Sequence, residues 1–215
     1  MTSVSFAIID YGAGNLRSIR RALEAADASV AVTSDANEIY NADAVIFPGV
    51  GAAGAAMRRL SEMALIDPIA DAVRHEKPFL GICLGMQLLF GPQEEGRTAG
   101  LGLLPGHVQS LRPTMKIPQI GWNRVVWQTD AVGYREGDAD DFYFVHSYVA
   151  VPEDPGDVVA TTWYGEEFPS IVRHGTTWGM QFHPEKSGPA GLRLVARWVE
   201  GVRSGVLSPM VEATA

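Results

Sequence analysis

Cysteine is almost absent from this sequence. The 215 residues include a single cysteine, Cys83, so no disulfide can form within the chain and no thiolate cluster can hold a structural metal. Five histidines are present, and no two of them stand at the spacing that metal-binding helices or hairpins use. Neither a metal nor a cofactor is therefore expected, and Cys83 needs an explanation of its own.

Long apolar runs and clusters of positive charge are also missing. No segment approaches the roughly 18 apolar residues needed to cross a bilayer, and residues 1–10 lack a signal-peptide pattern, so a cytoplasmic protein is expected. The net charge is −8, and the longest basic runs are two pairs, Arg20-Arg21 and Arg58-Arg59. An acidic chain without a basic patch is not expected to bind nucleic acid or an anionic membrane.

The residues that are present suit an ordinary folded domain, with 47% hydrophobic and 20% charged side chains. Short apolar strands alternate with segments of helical period in the first half, and the second half is mostly strand-like until a last helix. This order indicates an α/β fold whose parallel sheet is covered by helices on both faces. We therefore predict a single domain over residues 1–203, with a largely parallel central sheet, antiparallel additions in its second half, and a frayed tail at 204–215.

The individual elements follow from the same patterns. Apolar runs predict strands at residues 4–9, 29–33, 42–47, 78–82, 108–111, 124–127, 142–151, 158–164 and 178–182. Helical periodicity predicts helices at residues 16–26, 57–65, 68–74, 84–90 and 191–202. Turn residues separate these segments, and no internal repeat or linker divides the chain.

Cys83 stands between a predicted strand and a predicted helix. Glycines lie two residues before it and two residues after it, at Gly81 and Gly85. This arrangement is typical of a nucleophile elbow, in which a tight turn lifts a side chain above the edge of the sheet. The helix N-terminus would stabilise a thiolate, and the backbone N–H of Leu84 would face the same point as an oxyanion donor. The alternative is that Cys83 is a buried small apolar residue.

The residues around His183 could provide the base that such a thiol needs. His183 stands at the end of a predicted strand, where the catalytic groups of α/β sheets gather. Glu185, two residues later, could accept a hydrogen bond from the second imidazole nitrogen and so hold the ring in place. The alternative is a surface His-Pro turn with a solvated glutamate.

A second backbone donor for an oxyanion could come from the segment Pro48-Gly49-Val50-Gly51, because glycine lets backbone N–H groups approach a ligand closely. A plain strand-to-helix turn is the alternative. The segment is not a phosphate loop, since Gly-Lys-Ser and Gly-Lys-Thr are absent from the chain. The earlier turn Gly12-Ala13-Gly14 lacks the third glycine of a dinucleotide fingerprint.

Two of these motifs together resemble a known family. The segments Gly-Ile-Cys-Leu-Gly-Met-Gln, residues 81–87, and Gln-Phe-His-Pro-Glu, residues 181–185, are similar to the motifs of the class I (triad) glutamine amidotransferases. Members of that family hydrolyse glutamine to glutamate and ammonia through a thioester, and pass the ammonia to a partner active site. The resemblance implies the single-domain class I glutamine amidotransferase fold, with Cys83, His183 and Glu185 as the catalytic triad and no cofactor or metal.

Further segments are similar to the HisH-type glutaminase subunits of imidazole glycerol phosphate synthase. They are Asp10 to Ser18, Pro48 to Gly51, Gly121-Trp122-Asn123 and Glu185-Lys186-Ser187. Gly85-Met86-Gln87 also differs from the Gly-His-Gln that anthranilate and guanylate enzymes carry after the nucleophile. The pair Gln119-Ile120 departs from the HisH pattern, which concerns the interface rather than the triad, and Val149-Ala150 after Tyr148 is also less typical.

This resemblance implies a substrate site and a partner. The residues that would hold glutamine or its oxyanion are Gly49, Val50, Gly51, Leu84, Gln87, Ser147 and Tyr148. The partner would be a cyclase subunit, a (β/α)8 barrel, which forms a heterodimer with the glutaminase and makes imidazole glycerol phosphate and aminoimidazole carboxamide ribonucleotide in histidine biosynthesis. Trp122 and Lys186 would lie near the interface; a packed indole and a solvated lysine are the alternative.

Other functions stay open on the sequence alone. Another glutaminase subunit or a stand-alone γ-glutamyl hydrolase would use the same three residues, and the stand-alone enzyme would need no partner. A catalytically silent module on the same fold would have lost one of the three positions, yet all three are present. A thiol stress-response protein would keep the cysteine elbow without needing the His-Pro-Glu ending.

Overall fold

Strands and helices alternate through the first half of the chain, as predicted. The structure, a computed structural model, describes residues 4–112 and 115–207. The strands of this half are β1 (Ser5–Ile9), β2 (Ser29–Thr33), β3 (Ala44–Gly49) and β4 (Phe79–Cys83). The helices are α1 (Leu16–Glu24), α2 (Ala36–Asn41), α3 (Ala53–Glu62), α4 (Ile66–Arg74) and α5 (Leu84–Leu89).

The second half is mostly β-structure and ends in a long helix. Its strands are β5 (Pro92–Gln93), β6 (Thr98–Ala99), β7 (Gly106–Ser110), β8 (Gln119–Trp127), β9 (Ala139–His146), β10 (Tyr148–Pro152), β11 (Val158–Trp163), β12 (Glu167–His174) and β13 (Thr177–Met180). The last helix is α6 (Gly188–Arg203), and short 3-10 turns occur at Glu95–Arg97, Pro155–Asp157 and Pro184–Lys186.

Across the two described ranges, nine strands form one mixed sheet in the order β2-β1-β3-β4-β13-β12-β11-β8-β9. Its first five strands are parallel neighbours, and the remaining pairings are antiparallel. A smaller sheet has the order β10-β7-β5-β6. The predicted fold class, α/β with parallel strands first and antiparallel additions later, is confirmed.

The parallel strands send apolar side chains alternately into two cores. Phe6 and Ile8 of β1 share one core with Trp198 of α6. Phe47 of β3 shares the other with Leu60 of α3. Because successive side chains of a strand point to opposite faces, both faces of the sheet are buried under helices. Each fully buried side chain of this size contributes roughly 1.5–3 kcal/mol to folding.

The segment predicted as one strand over residues 142–151 is in fact two strands in different sheets. β9 pairs with β8 in the large sheet, and β10 pairs with β7 in the small one. The chain changes sheets at Ser147, which belongs to neither strand. An apolar run gives no signal for such a change, because the side chains on either side of it are buried in both sheets.

Other differences have local causes. Helix α3 begins at Ala53 rather than at residue 57, because its first residues are alanine and glycine and show no apolar–polar period. Helix α2 was not predicted, although Asp35 caps it by accepting the N–H of Asn37 at 2.7 Å. Strand β12 was also missed, since Pro169 and charged residues at both ends obscure its apolar centre.

The division into one domain over residues 1–203 and a tail at 204–215 stays a prediction. Residues 204–207 form a turn that buries Leu207 against Gly201 of α6. The rest of the predicted tail lies outside the described residues. No helix of residues 4–112 or 115–207 is long and apolar enough to cross a membrane.

Gly85 lets the first turn of α5 pack directly on the backbone of β3. A Cβ atom at this position would lie 1.8 Å from the carbonyl oxygen of Phe47 and 2.8 Å from its carbonyl carbon. Both obstructing atoms are backbone, so neither can move without moving the strand. The glycine after the cysteine is therefore required by packing.

Gly85→Ala should lower the free energy of unfolding by about 3 kcal/mol or more, because overpacking against a rigid backbone is costly. Denaturant unfolding would measure the change. Gly54→Ala in α3 is the matched control, since the nearest atom to its added Cβ is the flexible end of Arg58 at 3.7 Å, and alanine favours a helix. The control should be as stable as the parent or more so; equal stability of the Gly85 variant would refute the packing argument.

Candidate active site

Cys83 lies where β4 ends and α5 begins. Its φ of 54° and ψ of −113° are values that a non-glycine residue adopts at a cost of order 1–3 kcal/mol. On one side, Gly49 at the end of β3 is its register neighbour. On the other side, β13 runs parallel to β4. The predicted strand-to-helix turn is therefore present, and its strained backbone is that of a nucleophile elbow.

His183 follows β13, the strand beside β4, and is only 2% exposed. Its Nδ1 atom lies 3.0 Å from Oε1 of Glu185, whose side chain is also buried. An ionised carboxylate can only accept a hydrogen bond, so Nδ1 carries a proton. Nε2 has no hydrogen-bond partner within the described residues, which leaves this nitrogen for the cavity next to Cys83.

The charge state of His183 is set by its two neighbours. Burial lowers the pKa of His183, but Cys83 and Glu185 raise it more, to about 9. Since Nε2 makes no hydrogen bond to a described residue, we attribute the effect of Cys83 to its closeness rather than to a formed bond. An imidazolium beside a thiolate is the state in which a cysteine is activated for attack.

Ser187 fixes the turn that carries His183. Its hydroxyl donates to the carbonyl oxygen of His183 at 2.6 Å and accepts the backbone N–H of Tyr143 at 2.9 Å. The N–H of His183 in turn donates to the carbonyl oxygen of Tyr143 at 2.9 Å. The turn is thereby bound to β9. In the sequence Ser187 stands out only as part of the Glu185-Lys186-Ser187 motif, because its partner Tyr143 is 44 residues away along the chain.

A cavity of about 250 Å³ opens in front of Cys83 and His183. Six of the predicted substrate and oxyanion residues line it: Val50, Gly51, Leu84, Gln87, Ser147 and Tyr148. Gly49 lies beneath this lining, since a Cβ on it would come within 2.9 Å of the Leu84 Cβ. The size suits a small polar molecule rather than a large cofactor.

Glu95 also lines the cavity, and it was not predicted. It begins the 3-10 turn Glu95–Arg97, and its Oε2 accepts the N–H of Ala53 at 2.7 Å. Among the cavity-lining residues it is the sole carboxylate, so it offers an acceptor to a cationic group of a ligand. A glutamate in an irregular segment has no periodicity or motif that would single it out.

His146 lines the cavity on the side of β9. Its Nδ1 lies 2.9 Å from the carbonyl oxygen of Tyr148, which can only accept, so Nδ1 carries the proton. Burial lowers the pKa of His146 to about 4, against the opposing effect of that hydrogen bond. The surroundings of His146 therefore favour its neutral form, whereas those of His183 favour its charged form.

The predicted interface residues lie at the surface next to this site. Trp122 is 56% exposed and packs edge-on against Tyr143. Lys186 is exposed in the turn that follows His183. The indole of Trp122 would be 3.8 Å from a Cβ at Gly188, which follows Lys186 by two residues. Among residues 4–112 and 115–207, no group of three or more His, Cys, Asp or Glu side chains could hold a metal ion.

Comparison with known proteins identifies the family of this chain. The glutamine amidotransferase class-I family model matches residues 7–200. The imidazole glycerol phosphate synthase subunit HisH of Synechococcus elongatus is 46% identical over 206 residues, or 94% of this chain and 95% of that protein. The HisH subunit of Methanopyrus kandleri is 47% identical over 91% of this chain and 97% of its own length. This chain belongs to the HisH family of class-I glutamine amidotransferases.

Solved structures support the fold of this amidotransferase. PurLQS from Thermotoga maritima has a TM-score of 0.73 at 18% identity, covering 95% of this chain and 100% of that one. The glutaminase domain of CTPS from Trypanosoma brucei, with bound acivicin, has a TM-score of 0.62 at 15% identity, covering 92% of this chain and 94% of that one. Such low identities show a shared fold alone. The family predicted from the motifs is confirmed by the sequence relatives.

The raised pKa of His183, to which Cys83 and then Glu185 contribute, predicts a pH-dependent stability. The folded pKa of His183, about 9, exceeds its ordinary value of 6.5. The stability that this group contributes is therefore complete below about pH 6.5 and is lost as the pH rises through about 9. Urea unfolding across this window should show the parent losing its advantage over Glu185→Gln. An advantage that stays constant with pH would mean that the pair is not the cause.

Proposed function

We propose that this chain is the glutaminase subunit of imidazole glycerol phosphate synthase, which supplies ammonia for histidine biosynthesis. One observation carries the proposal: in a chain of the HisH family, Cys83 sits in an elbow beside His183, whose Nδ1 is held 3.0 Å from Glu185. A cavity large enough for an amino acid opens in front of both. These are the parts that nucleophilic hydrolysis of an amide requires.

The first half of the proposed reaction forms a thioester. The Cys83 thiolate attacks the side-chain amide carbon of glutamine. Backbone N–H groups of Leu84 and of residues 49–51 stabilise the oxyanion, an effect of roughly 3–4 kcal/mol per donor at comparable sites. The His183 imidazolium gives its Nε2 proton to the departing nitrogen, so the carbon–nitrogen bond breaks and ammonia leaves.

The second half regenerates the enzyme. His183, now neutral, accepts a proton from a water molecule, and the resulting hydroxide adds to the thioester carbon. The same oxyanion donors act again, the carbon–sulfur bond breaks, and glutamate and the Cys83 thiolate are released. Glu185 keeps the His183 ring in one orientation through both halves.

Binding of glutamine is assigned to the lining of the cavity. Its amino group is a cation, and Glu95 supplies the carboxylate that a cation needs. Ser147 and Tyr148, at the point where the chain changes sheets, supply further polar groups to the cavity lining. The substrate is thereby held with its side-chain amide directed toward Cys83.

A cyclase subunit with a (β/α)8 barrel is the proposed partner in a heterodimer. Ile120 and Trp122 are exposed on one face of β8, and their register partners on β9 are Val145 and Tyr143. Val145 also lines the cavity, so this apolar face continues to the place where ammonia forms. A partner seated there would receive ammonia with little loss to solvent. A cytoplasmic location is part of the same proposal.

Glutamate release from glutamine tests the proposal. We expect the purified chain to release glutamate strongly only when a liganded imidazole glycerol phosphate synthase cyclase subunit is present. Cys83→Ser should abolish this release while keeping the thermal unfolding temperature of the parent. Substantial activity that is the same with and without the cyclase would assign the chain to a stand-alone glutaminase, and turnover by Cys83→Ser would exclude Cys83 as the nucleophile.

Trp122→Ala should weaken binding of the cyclase subunit about tenfold or more, because a truncated aromatic anchor typically costs at least that much. Calorimetric titration would measure the Kd. Tyr40→Ala is the matched control: Tyr40 is 65% exposed on α2, which contacts β1 and β2 at the opposite edge of the large sheet. Equal losses in both variants, or no loss at Trp122, would place the interface elsewhere.

A further inference from the structure

A buried chain of hydrogen bonds leads from the backbone of Tyr148 to the sulfur of Cys83. Nε2 of Gln87 lies 2.8 Å from the carbonyl oxygen of Tyr148 and 3.0 Å from Oε1 of Gln181. Nε2 of Gln181 lies 4.0 Å from Sγ of Cys83. Gln181 is completely buried and Gln87 is 5% exposed. Burial of two neutral amides is costly unless they are bonded to partners, and here each one is.

Chemistry fixes the direction of every bond in this chain. A backbone carbonyl can only accept, so the end of the Gln87 amide that faces Tyr148 must be its nitrogen. That nitrogen also faces Gln181, so the near end of the Gln181 amide must be its oxygen. The other end, which faces Cys83, is then the N–H donor. The Tyr148 carbonyl thus determines which end of each side-chain amide is oxygen and which is nitrogen.

We infer that Gln181 donates a hydrogen bond to the Cys83 thiolate and favours this form over the thiol, with Gln87 fixing its orientation. A donor stabilises a charged acceptor more than a neutral one, and the bond to the charged form is shorter. In this structure Nε2 of Gln181 and Sγ of Cys83 are 4.0 Å apart. The sulfur is also 3.9 Å from the carbonyl oxygen of Val145, which can accept the proton of the thiol form, so the longer distance to Gln181 suits the thiol rather than the thiolate. This inference rests on the proposed function, in which Cys83 is the nucleophile.

The other groups that affect the sulfur come from different elements. His183 follows the end of β13, and its imidazole lies between the influence of Cys83 and that of Glu185. Tyr11, after β1, is buried with no partner for its hydroxyl among the described residues, and its pKa is raised first by burial and then by Cys83. The remaining titratable residues of the cavity lining are His146, Tyr148 and Glu95. Of all these groups, His183 alone can bring a positive charge to the sulfur. Gln181 would stabilise the thiolate by a hydrogen bond from an uncharged N–H group instead.

Gln181→Met tests the inference, because methionine has a similar length and volume but no N–H group. The measurement is the rate at which iodoacetamide alkylates Cys83, followed as a function of pH. We expect the midpoint of the rate profile to rise by about one pH unit and alkylation below the midpoint to slow about tenfold, the factor that corresponds to one unit. With the cyclase present, kcat/KM for glutamine should fall by a similar factor.

Gln93→Met is the matched control. Gln93 is 3% exposed, and its amide nitrogen donates to the carbonyl oxygens of Gln87 and Phe90 without contacting the sulfur. Its variant should unfold at a lower temperature yet keep the parent midpoint. If Gln181→Met does not fold, Gln87→Met replaces it, since removing the orienting donor should shift the midpoint in the same direction by a smaller amount.

An unchanged midpoint in the folded variant overturns the inference, even if stability or activity falls, because a purely structural amide would leave the profile in place. Alkylation requires neither glutamine nor the cyclase. A shifted midpoint in a chain that never releases glutamate would therefore refute the proposed function and leave the role of Gln181 standing.

Discussion

The direct contact between the first turn of α5 and the backbone of β3 is the constraint on which the site depends. Gly85 removes the side chain that would separate the two elements. Helix α5 can then start immediately after β4, and Cys83 has to take a positive φ to make the turn. The sulfur is thereby held at the same edge of the sheet as the end of β13, where His183 follows. A side chain at position 85 would push α5 away from β3 and displace the sulfur of Cys83 from His183.

Two kinds of interaction hold the reactive groups, and they differ in what they cost. His183 and Glu185 are both buried, and their mutual attraction offsets the loss of hydration that each suffers alone. The glutamine pair carries no charge, so its burial is offset by hydrogen bonds alone. Among the described residues, Cys83 therefore neighbours one buried histidine–carboxylate pair and one neutral amide, with no second full cation in the apolar interior.

The sequence shows the chemistry of this site better than its architecture. Cys83, His183 and Glu185 could be named because each lies in a short segment whose residues contact one another locally, and because the ends of parallel strands meet at one edge. The change of sheets at Ser147, the carboxylate of Glu95 and the bonds of Ser187 depend on residues far apart in the chain. Such contacts leave no periodicity to read, and so they emerge only from the folded structure.

The presence of one cysteine has a consequence for oxidative damage. A sulfenic acid formed at Cys83 finds no second thiol in the chain with which to condense, and recovery depends on a thiol from outside the molecule. Access from outside is narrow, since Cys83 is 6% exposed and is reached through the cavity that it lines. A molecule bound in this cavity would therefore shield the sulfur from oxidants, whereas oxidation beyond the sulfenic acid would be irreversible.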